Sequence, residues 1–249
     1  MKLLLLLFII FNSILFAKEE FIFYCGITMV KPMLEISKII EKKYHIKVKI
    51  IQGGSGDLYD SLSISKKGDL YLPGSDSYLK KHEKEGIFGY RKYVGYNQIA
   101  IFVRKGNPKK IQSLKDFLRQ DVKVAIGNPE SGSIGKAGEK VLKKFGGEKF
   151  LEKIEDLVVI YATDSRDLNN LLRNGEVDAG LSWKATAFFP ENREFLSIIE
   201  IPEKYSPKKK LVLTQLKFSK YPEIAKYFID YASGKEGKKI MKKYGFLDE

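Results

Sequence analysis

The chain has 249 residues, with 44 Lys and Arg against 31 Asp and Glu, and a formal net charge of +13. This length allows one large or two modest domains. A positive excess can indicate a nucleic-acid partner, but here the lysines are spread along amphipathic segments and arginines are few. We therefore expect no nucleic-acid binding, and we interpret the charge as a solvated surface whose long-range field draws anions.

The first 17 residues predict a secretory signal peptide. Lys2 supplies a positive start, residues 3–16 are almost entirely apolar, and Ala17 precedes a charged run. The apolar run is shorter than the roughly 20 residues that a membrane span needs. We therefore expect cleavage after Ala17 and a periplasmic mature chain. The alternative is a membrane anchor that stays attached.

Cys25, the only cysteine, lies within an apolar stretch. A lipoprotein needs small residues just before its modified cysteine, whereas Phe23 and Tyr24 stand here, so we do not expect lipidation. A lone cysteine also cannot form an internal disulfide. We predict that Cys25 behaves as a small buried hydrophobe in a strand.

Strands and helices alternate along the chain. In the first half, hydrophobic spacing predicts strands at 21–25, 46–51, 69–72 and 96–104, helices at 29–44 and 58–64, and a short helix capped by Ser113. In the second half it predicts strands at 122–126, 157–161, 177–183 and 211–216, and helices at 136–145, 166–174, 222–232 and 235–244. Repeated β-α-β units of this kind indicate mostly parallel sheets with helices on their faces.

Four strand-to-helix junctions, at 26–28, 53–56, 131–135 and 163–165, are rich in hydroxyl groups and glycine. Each sets the carboxyl end of a strand against a helix N-terminus, which is where open α/β sheets bind ligands. Unpaired N–H groups and the helix dipole favour anions there. The alternative at each junction is simple N-capping, because Ser and Thr are ordinary caps.

Motifs for enzyme chemistry are scarce. Neither His45 nor His82 has metal-ligand spacing, and the sequence contains no Walker loop and no Gly-x-Ser-x-Gly elbow. We expect no enzymatic activity, no metal and no cofactor. A hypothesis from another class is an exported hydrolase with Ser55 or Ser133 as nucleophile, which would need a base within hydrogen-bond reach.

Nearly the whole mature length resembles the periplasmic molybdate-binding proteins of ABC importers. The segments that carry the resemblance are 21–37, Gly53-Gly54-Ser55-Gly56, 68–72 with Asp69, 125–130, Gly135, Ser165-Arg166, Gly180-Leu181-Ser182-Trp183 and Lys242-Lys243-Tyr244-Gly245-Phe246. The resemblance implies a type II periplasmic binding protein with two α/β lobes. Each lobe would hold a mixed, mostly parallel sheet flanked by helices, and the ligand would lie in the cleft between the lobes.

The resemblance also implies the division of the chain and the site. We expect lobe I to comprise 18–95 and 201–249 and lobe II to comprise 96–200, with crossings near 94–97 and 198–202. The implied ligand-binding residues are Thr28, Ser55, Ser133, Ile134, Ser165 and Trp183.

Several of these residues depart from the family pattern. Thr28 keeps the hydroxyl of the family's Ser, while Trp183 replaces a Tyr and offers an N–H that cannot accept a hydrogen bond. Ser131 and Ser133 add hydroxyls where the family is apolar, and Ser165 adds a side-chain hydroxyl to a backbone donor.

The implied function is that of an exported monomer that binds molybdate or tungstate by neutral N–H and O–H donors and delivers it to an ABC permease. Because the pocket has additional donors, another oxyanion such as sulfate or phosphate is an alternative. A sensor lobe that uses the same fold to signal to a membrane receptor is a further alternative.

Overall fold

A computed structural model describes residues 20–246. The predicted signal peptide at 1–17 lies outside the described residues. Within 20–246, no helix combines the length and the apolar character needed to cross a bilayer.

The described part of the chain contains ten strands and nine α-helices. The strands are β1 (Phe21–Gly26), β2 (Val48–Gly53), β3 (Leu70–Leu72), β4 (Phe88–Asn97), β5 (Ile99–Arg104), β6 (Val124–Gly127), β7 (Val158–Ala162), β8 (Ala179–Trp183), β9 (Leu196–Ile199) and β10 (Lys209–Leu216). The helices are α1 (Val30–Tyr44), α2 (Ser55–Ser65), α3 (Ser77–Lys81), α4 (Ser133–Gly146), α5 (Glu148–Leu157), α6 (Ser165–Asn174), α7 (Pro190–Arg193), α8 (Pro222–Ser233) and α9 (Lys235–Lys243). Short 3₁₀ turns lie at Ile27–Met29, Glu83–Glu85, Leu114–Leu118 and Lys184–Phe188.

These strands form two five-stranded sheets. The first has the order β2-β1-β3-β10-β4 and the second β7-β6-β8-β5-β9. In each sheet four strands run in one direction, and the remaining strand, β10 or β5, is antiparallel to both of its neighbours. The predicted α/β fold with two lobes and mixed, mostly parallel sheets is confirmed. We call the first sheet with its helices lobe I and the second lobe II; the predicted residue boundaries of the lobes stay a prediction.

Lobe I packs around the centre of β1. Cys25 is fully buried in this strand, as predicted. Met33, Ile36 and Ile40, at helical spacing on α1, and Phe228 on α8 belong to the same apolar cluster and are fully buried. Burial of one such side chain contributes about 1.5–3 kcal/mol, so this spacing fixes α1 against the sheet and thereby positions the amino end of α1 beside the carboxyl end of β1.

The prediction of one long strand at 96–104 is wrong, because the chain changes sheets within it. β4 ends at Asn97 in lobe I and β5 begins at Ile99 in lobe II. At the crossing, Asn97 Oδ1 accepts from the Gln98 N–H at 3.0 Å, and Gln98 Nε2 donates to the Ser206 carbonyl at 2.6 Å. Ser206 Oγ in turn donates to the Ile99 carbonyl at 2.8 Å. The outgoing crossing and the return segment between β9 and β10 are therefore hydrogen-bonded to each other.

Other differences concern short or charged elements. The sequence patterns did not predict α3, α5, α7 and β9, which bury few apolar residues, nor residues 88–95 of β4, whose middle is exposed; α5 buries Leu151 and Ile154 alone. The predicted helix cap at Ser113 and the predicted helix end at Gly175 are confirmed, because both depend on residues close in sequence. Ser113 accepts from the Lys115 N–H in a capping box with Asp116, and α6 is followed by a left-handed Gly175.

Candidate functional site

Four helical starts lie at the carboxyl ends of parallel strands, two in each lobe. In lobe I the 3₁₀ turn Ile27–Met29 follows β1, and α2 begins two residues after β2. In lobe II, α4 begins at Ser133 after β6, and α6 begins at Ser165 after β7. This arrangement gathers unpaired backbone N–H groups and the positive ends of helix dipoles in the cleft between the lobes.

Residues from all four junctions line one small cavity in this cleft, which we call the pocket. Its walls are Gly26, Ile27, Thr28, Gly53, Gly54, Ser55, Gly74, Gly132, Ser133, Ile134, Asp164, Ser165 and Trp183. All six residues implied by the resemblance are therefore brought together. The pocket has a volume of about 10 Å³, which is space for about one water molecule.

The hydroxyl groups of the pocket are not helix caps. The N-cap positions of α2 and α4 are Gly54 and Gly132, which have no side chain to cap with. The cap of α6 is Asp164, whose Oδ1 accepts from the N–H groups of residues 166 and 167 at 2.8 and 2.9 Å. Ser55 and Ser165 each occupy the first helical position instead, so the N-capping alternative is wrong for these helices.

The pocket hydroxyls bond in ways that leave protons for a ligand. Thr28 Oγ1 and Ser165 Oγ lie 3.2 Å apart across the cleft, so one hydroxyl donates to the other and the acceptor keeps its own proton. Ser55 Oγ accepts from the Gly74 N–H at 2.9 Å, which also leaves the Ser55 proton to donate. Tyr71 donates to the Ser55 carbonyl at 2.7 Å; burial raises the pKa of Tyr71 well above its ordinary value and keeps it a donor.

The pocket holds little formal charge. Among the described wall residues, Asp164 is the ionisable one, and its carboxylate caps α6. Thr28, Ser55 and Ser165 are each less than 5% exposed, and Trp183 is 1% exposed. The walls therefore present neutral N–H and O–H dipoles in a site that is shielded from water.

Two glycines allow the lobes to close on the pocket. A Cβ added at Gly54 in lobe I would lie 2.5 Å from the Ser131 carbonyl oxygen in lobe II. A Cβ at Gly74 would lie 3.2 Å from Ser133 Cβ, with the Ser133 hydroxyl closer still. The structure is therefore closed, and it requires residues without side chains where the two backbones meet.

A second contact between the lobes was not found from the sequence. Lys31 at the start of α1 forms an ion pair with Glu191 on α7, and its ammonium lies 5.0 Å from the centre of the Phe189 ring. Burial, the largest single influence, would raise the pKa of Glu191, but the hydrogen bond from Lys31, a backbone hydrogen bond and the charges of Lys31 and Arg173 together outweigh it, so the pKa lies below its ordinary value of 4.5. Local sequence patterns do not predict an ion pair between residues that lie 160 positions apart in the chain.

Neither histidine lines the pocket that holds Ser55 and Ser133 of the nucleophile hypothesis. His45 follows the last turn of α1, and His82 stacks on Tyr59 at 3.6 Å with Nδ1 2.6 Å from Glu85. Among the described residues, no histidine or lysine lines the pocket beside Ser55 and Ser133. Residues 20–246 also contain no cluster of three His, Cys, Asp or Glu that could hold a metal ion.

Solved structures share this architecture. The sulfate-binding protein SubI of Mycobacterium tuberculosis superimposes with a TM-score of 0.79 at 17% identity, covering 91% of this chain and 86% of SubI. The periplasmic molybdate-binding protein of Azotobacter vinelandii gives 0.77 at 16%, covering 92% and 100%. PEB3 of Campylobacter jejuni, in a structure with bound L-phospholactate, gives 0.74 at 21%, covering 92% and 100%. The fold is that of the type II periplasmic binding proteins.

Sequence relatives agree with that fold. YvgL of Bacillus subtilis, assigned by its name to the substrate-binding lipoproteins of ABC transporters, is 29% identical over 221 residues, 86% of this chain and 81% of YvgL. The molybdate-binding protein ModA of Mycobacterium tuberculosis is 24% identical over 202 residues, 81% of this chain and 74% of ModA. Residues 21–247 match the family described as bacterial extracellular solute-binding proteins. With a match of that extent over a two-lobed fold, this chain belongs to the family of bacterial extracellular solute-binding proteins.

Proposed function

We propose that the chain captures a tetrahedral oxyanion in the pocket and delivers it to a membrane permease as the solute-binding component of an ABC importer. The observation that carries the proposal is the convergence of four helical starts and buried hydroxyls on one pocket, whose walls, as far as residues 20–246 form them, lack Lys, Arg and His. Export with cleavage after Ala17, a periplasmic location and action as a monomer belong to the same proposal.

Neutral donors are sufficient to hold such an anion. The candidate donors are the hydroxyls of Thr28, Ser55, Ser133 and Ser165, the backbone N–H groups of Ile134 and Ser165, and the indole N–H of Trp183. A hydrogen bond to a charged group contributes about 1.5–3 kcal/mol. Roughly five to seven of them, less the costs of closure and desolvation, are compatible with micromolar to nanomolar dissociation constants.

The ligand takes the place of a contact that the protein makes with itself. The pocket has space for about one water molecule, so an oxyanion would separate Thr28 from Ser165 and accept from both hydroxyls. Backbone N–H groups and the Trp183 indole can donate but not accept. This favours an anion that carries no proton, because an acidic O–H would meet few acceptors.

Molybdate and tungstate are the leading inorganic candidates, because the pocket residues resemble those of molybdate-binding proteins and ModA is among the relatives. Sulfate and phosphate are the alternatives; SubI, which shares the fold, is a sulfate-binding protein.

A thermal-shift panel with molybdate, tungstate, sulfate and phosphate, followed by calorimetric titration, tests the proposal on the purified mature chain. We expect at least one oxyanion to raise the unfolding temperature and to bind at a 1:1 ratio. Ser55→Ala should weaken this binding, while Ser61→Ala, an exposed position on the same helix, should not. Absence of heat with all four anions would contradict the proposal.

A further inference from the structure

A second, larger cavity adjoins the pocket, and we call it the chamber. It has a volume of about 410 Å³, within the range of roughly 300–1,000 Å³ that is usual for small-molecule sites. The pocket and the chamber share Ile27, Thr28 and Ser165 as wall residues. The hydrogen-bonded pair Thr28 and Ser165 therefore stands between the two cavities, and an anion that separates this pair has a path for a substituent into the chamber.

The chamber is cationic, unlike the pocket. Lys31, Arg166 and Arg173 line it together with one carboxylate, that of Glu191. Lys31 is paired with Glu191, and Arg173 donates to Asn170 Oδ1 at 2.8 Å and to the carbonyl of residue 191 at 3.0 Å.

Arg166 has the most unused donors of the three cations. Among the described residues its guanidinium has one ionic contact, to Asp164 at 3.7 Å, and its side chain is 62% exposed. A guanidinium presents five N–H donors in a planar fork that matches a carboxylate. The chamber therefore offers a place for a second anionic group, one residue along the chain from the Ser165 of the pocket.

The chamber wall also contains an unpaired acceptor. Asn169 is 2% exposed, and its Nδ2 donates to Thr186 Oγ1 at 2.8 Å. Its Oδ1 is buried and has no hydrogen-bond partner in the described part of the chain. An anionic group is itself an acceptor and is disfavoured beside this unpaired oxygen, so the second anionic group of a ligand is expected beside Arg166 rather than beside Asn169.

We propose that the pocket and the chamber form one site for a phosphate monoester of a small hydroxy acid, with the phosphate in the pocket and the carboxylate beside Arg166. This inference rests on the proposed function and narrows its ligand from a bare oxyanion to an organic phosphate. A phosphate monoester has its second pKa near 6, so at pH 7.5 it is mainly a dianion without a P–OH group. That matches a pocket of donors better than inorganic phosphate, which keeps at least one proton.

Calorimetry at pH 7.5 with four probes tests this: L-phospholactate, glycerol 3-phosphate, inorganic phosphate and lactate. We expect L-phospholactate to bind at least about tenfold more tightly than inorganic phosphate, because one added charge-assisted bond has about that effect. Glycerol 3-phosphate, which lacks the carboxylate, should lie between them, and lactate should give no measurable heat.

Two matched variants locate the effect. Arg166→Ala should weaken L-phospholactate binding about tenfold more than it weakens phosphate binding. Arg193→Ala removes a guanidinium of similar exposure, 64%, that does not line the chamber, and should alter neither affinity.

The outcomes separate this inference from the proposed function. If an inorganic oxyanion binds but L-phospholactate binds no more tightly than phosphate, the inference is overturned and the proposed function stands. Equal effects of the two arginine variants on L-phospholactate would also overturn it. If neither the inorganic oxyanions nor the organic phosphates bind, both proposals fail.

Discussion

A methyl group at Gly54 should act as a wedge between the lobes. The Cβ of Gly54→Ala would lie 2.5 Å from the Ser131 carbonyl oxygen and 2.9 Å from the Asp57 carboxylate. Asp57 can rotate away, but a backbone carbonyl cannot. The backbone at Gly54, with φ −63° and ψ 146°, suits any residue, so the clash opposes closure rather than the local fold of lobe I.

The size of the effect follows from the distances. Ordinary contact begins at 3.4 Å, so the lobes must separate by about 1 Å at this point. A bound anion already separates Thr28 from Ser165, now 3.2 Å apart, and a further opening of about 1 Å would stretch its bonds to one of the two lobes beyond hydrogen-bond distance. Loss of two charge-assisted bonds corresponds to about 3–6 kcal/mol, or a factor of about 10²–10⁴ in the dissociation constant.

The assay is calorimetric titration with the tightest-binding anion, beside a melting curve without ligand. Alanine in place of a glycine cap costs up to about 1 kcal/mol, so we expect the melting temperature to fall by no more than a few degrees. Gly56→Ala is the control: its Cβ would meet Tyr78 at an ordinary 3.9 Å, so affinity should be kept. Wild-type affinity in Gly54→Ala would refute the reasoning that closure at this contact is needed for binding.

Further predictions concern the same site. Thr28→Ala and Ser55→Ala should each weaken anion binding by about 1–3 kcal/mol with the fold retained, as titration and melting curves will show. Trp183 is the only tryptophan and lines the pocket, so ligand binding should change the intrinsic fluorescence, and an unchanged spectrum at saturation would place the ligand elsewhere. The pKa of Glu191 is lowered in the closed form, so its ion pair with Lys31 contributes above the ordinary pKa of 4.5 and is lost as the pH falls through the lowered value. Both side chains are partly exposed, so the ion pair contributes at most about 1 kcal/mol to closure. Melting temperatures of wild type and Glu191→Gln across pH 3–7 should show the loss of this contribution in the wild type alone.

Much of the site could be predicted because each of its hydroxyl residues lies at a strand-to-helix junction that is recognisable in the local sequence. Thr28, Ser55, Ser133 and Ser165 each stand where a strand pattern gives way to a helix pattern, and the parallel topology brings such positions to one edge of a sheet. That junctions from two different lobes face one cleft was expected from the family resemblance alone, because local sequence patterns do not show which sheets face each other.

The roles of individual side chains were harder to assign. The sequence alone left N-capping open at every junction, because a Ser one residue after the cap looks the same as a Ser at the cap. Asp164 could have decided the matter for α6, since Asp is a strong cap and precedes Ser165. At α2 and α4 the caps are glycines, which give no side-chain signal.

Features that depend on long-range geometry were not predictable. The change of sheet at Gln98 has no Gly or Pro to mark it; Asn97 and Gln98 are polar residues there, but the break is made by hydrogen bonds to Ser206, more than 100 residues away. The chamber is likewise formed by separate segments: Lys31 comes from α1, Arg166 and Asn169 from α6, and Glu191 from α7. Their assembly follows from packing of the lobes rather than from spacing in the chain.

A crystal structure of the mature chain with the tightest-binding anion of the panel tests the central claim most directly. The account predicts the anion in the pocket, with oxygens about 2.7–3.2 Å from the hydroxyls of Thr28, Ser55 and Ser165 and from the backbone N–H of Ile134, and with the bond between Thr28 and Ser165 replaced by bonds to the ligand. An anion bound outside the pocket, or one held by lysine and arginine side chains while Thr28 and Ser165 remain bonded to each other, would contradict it.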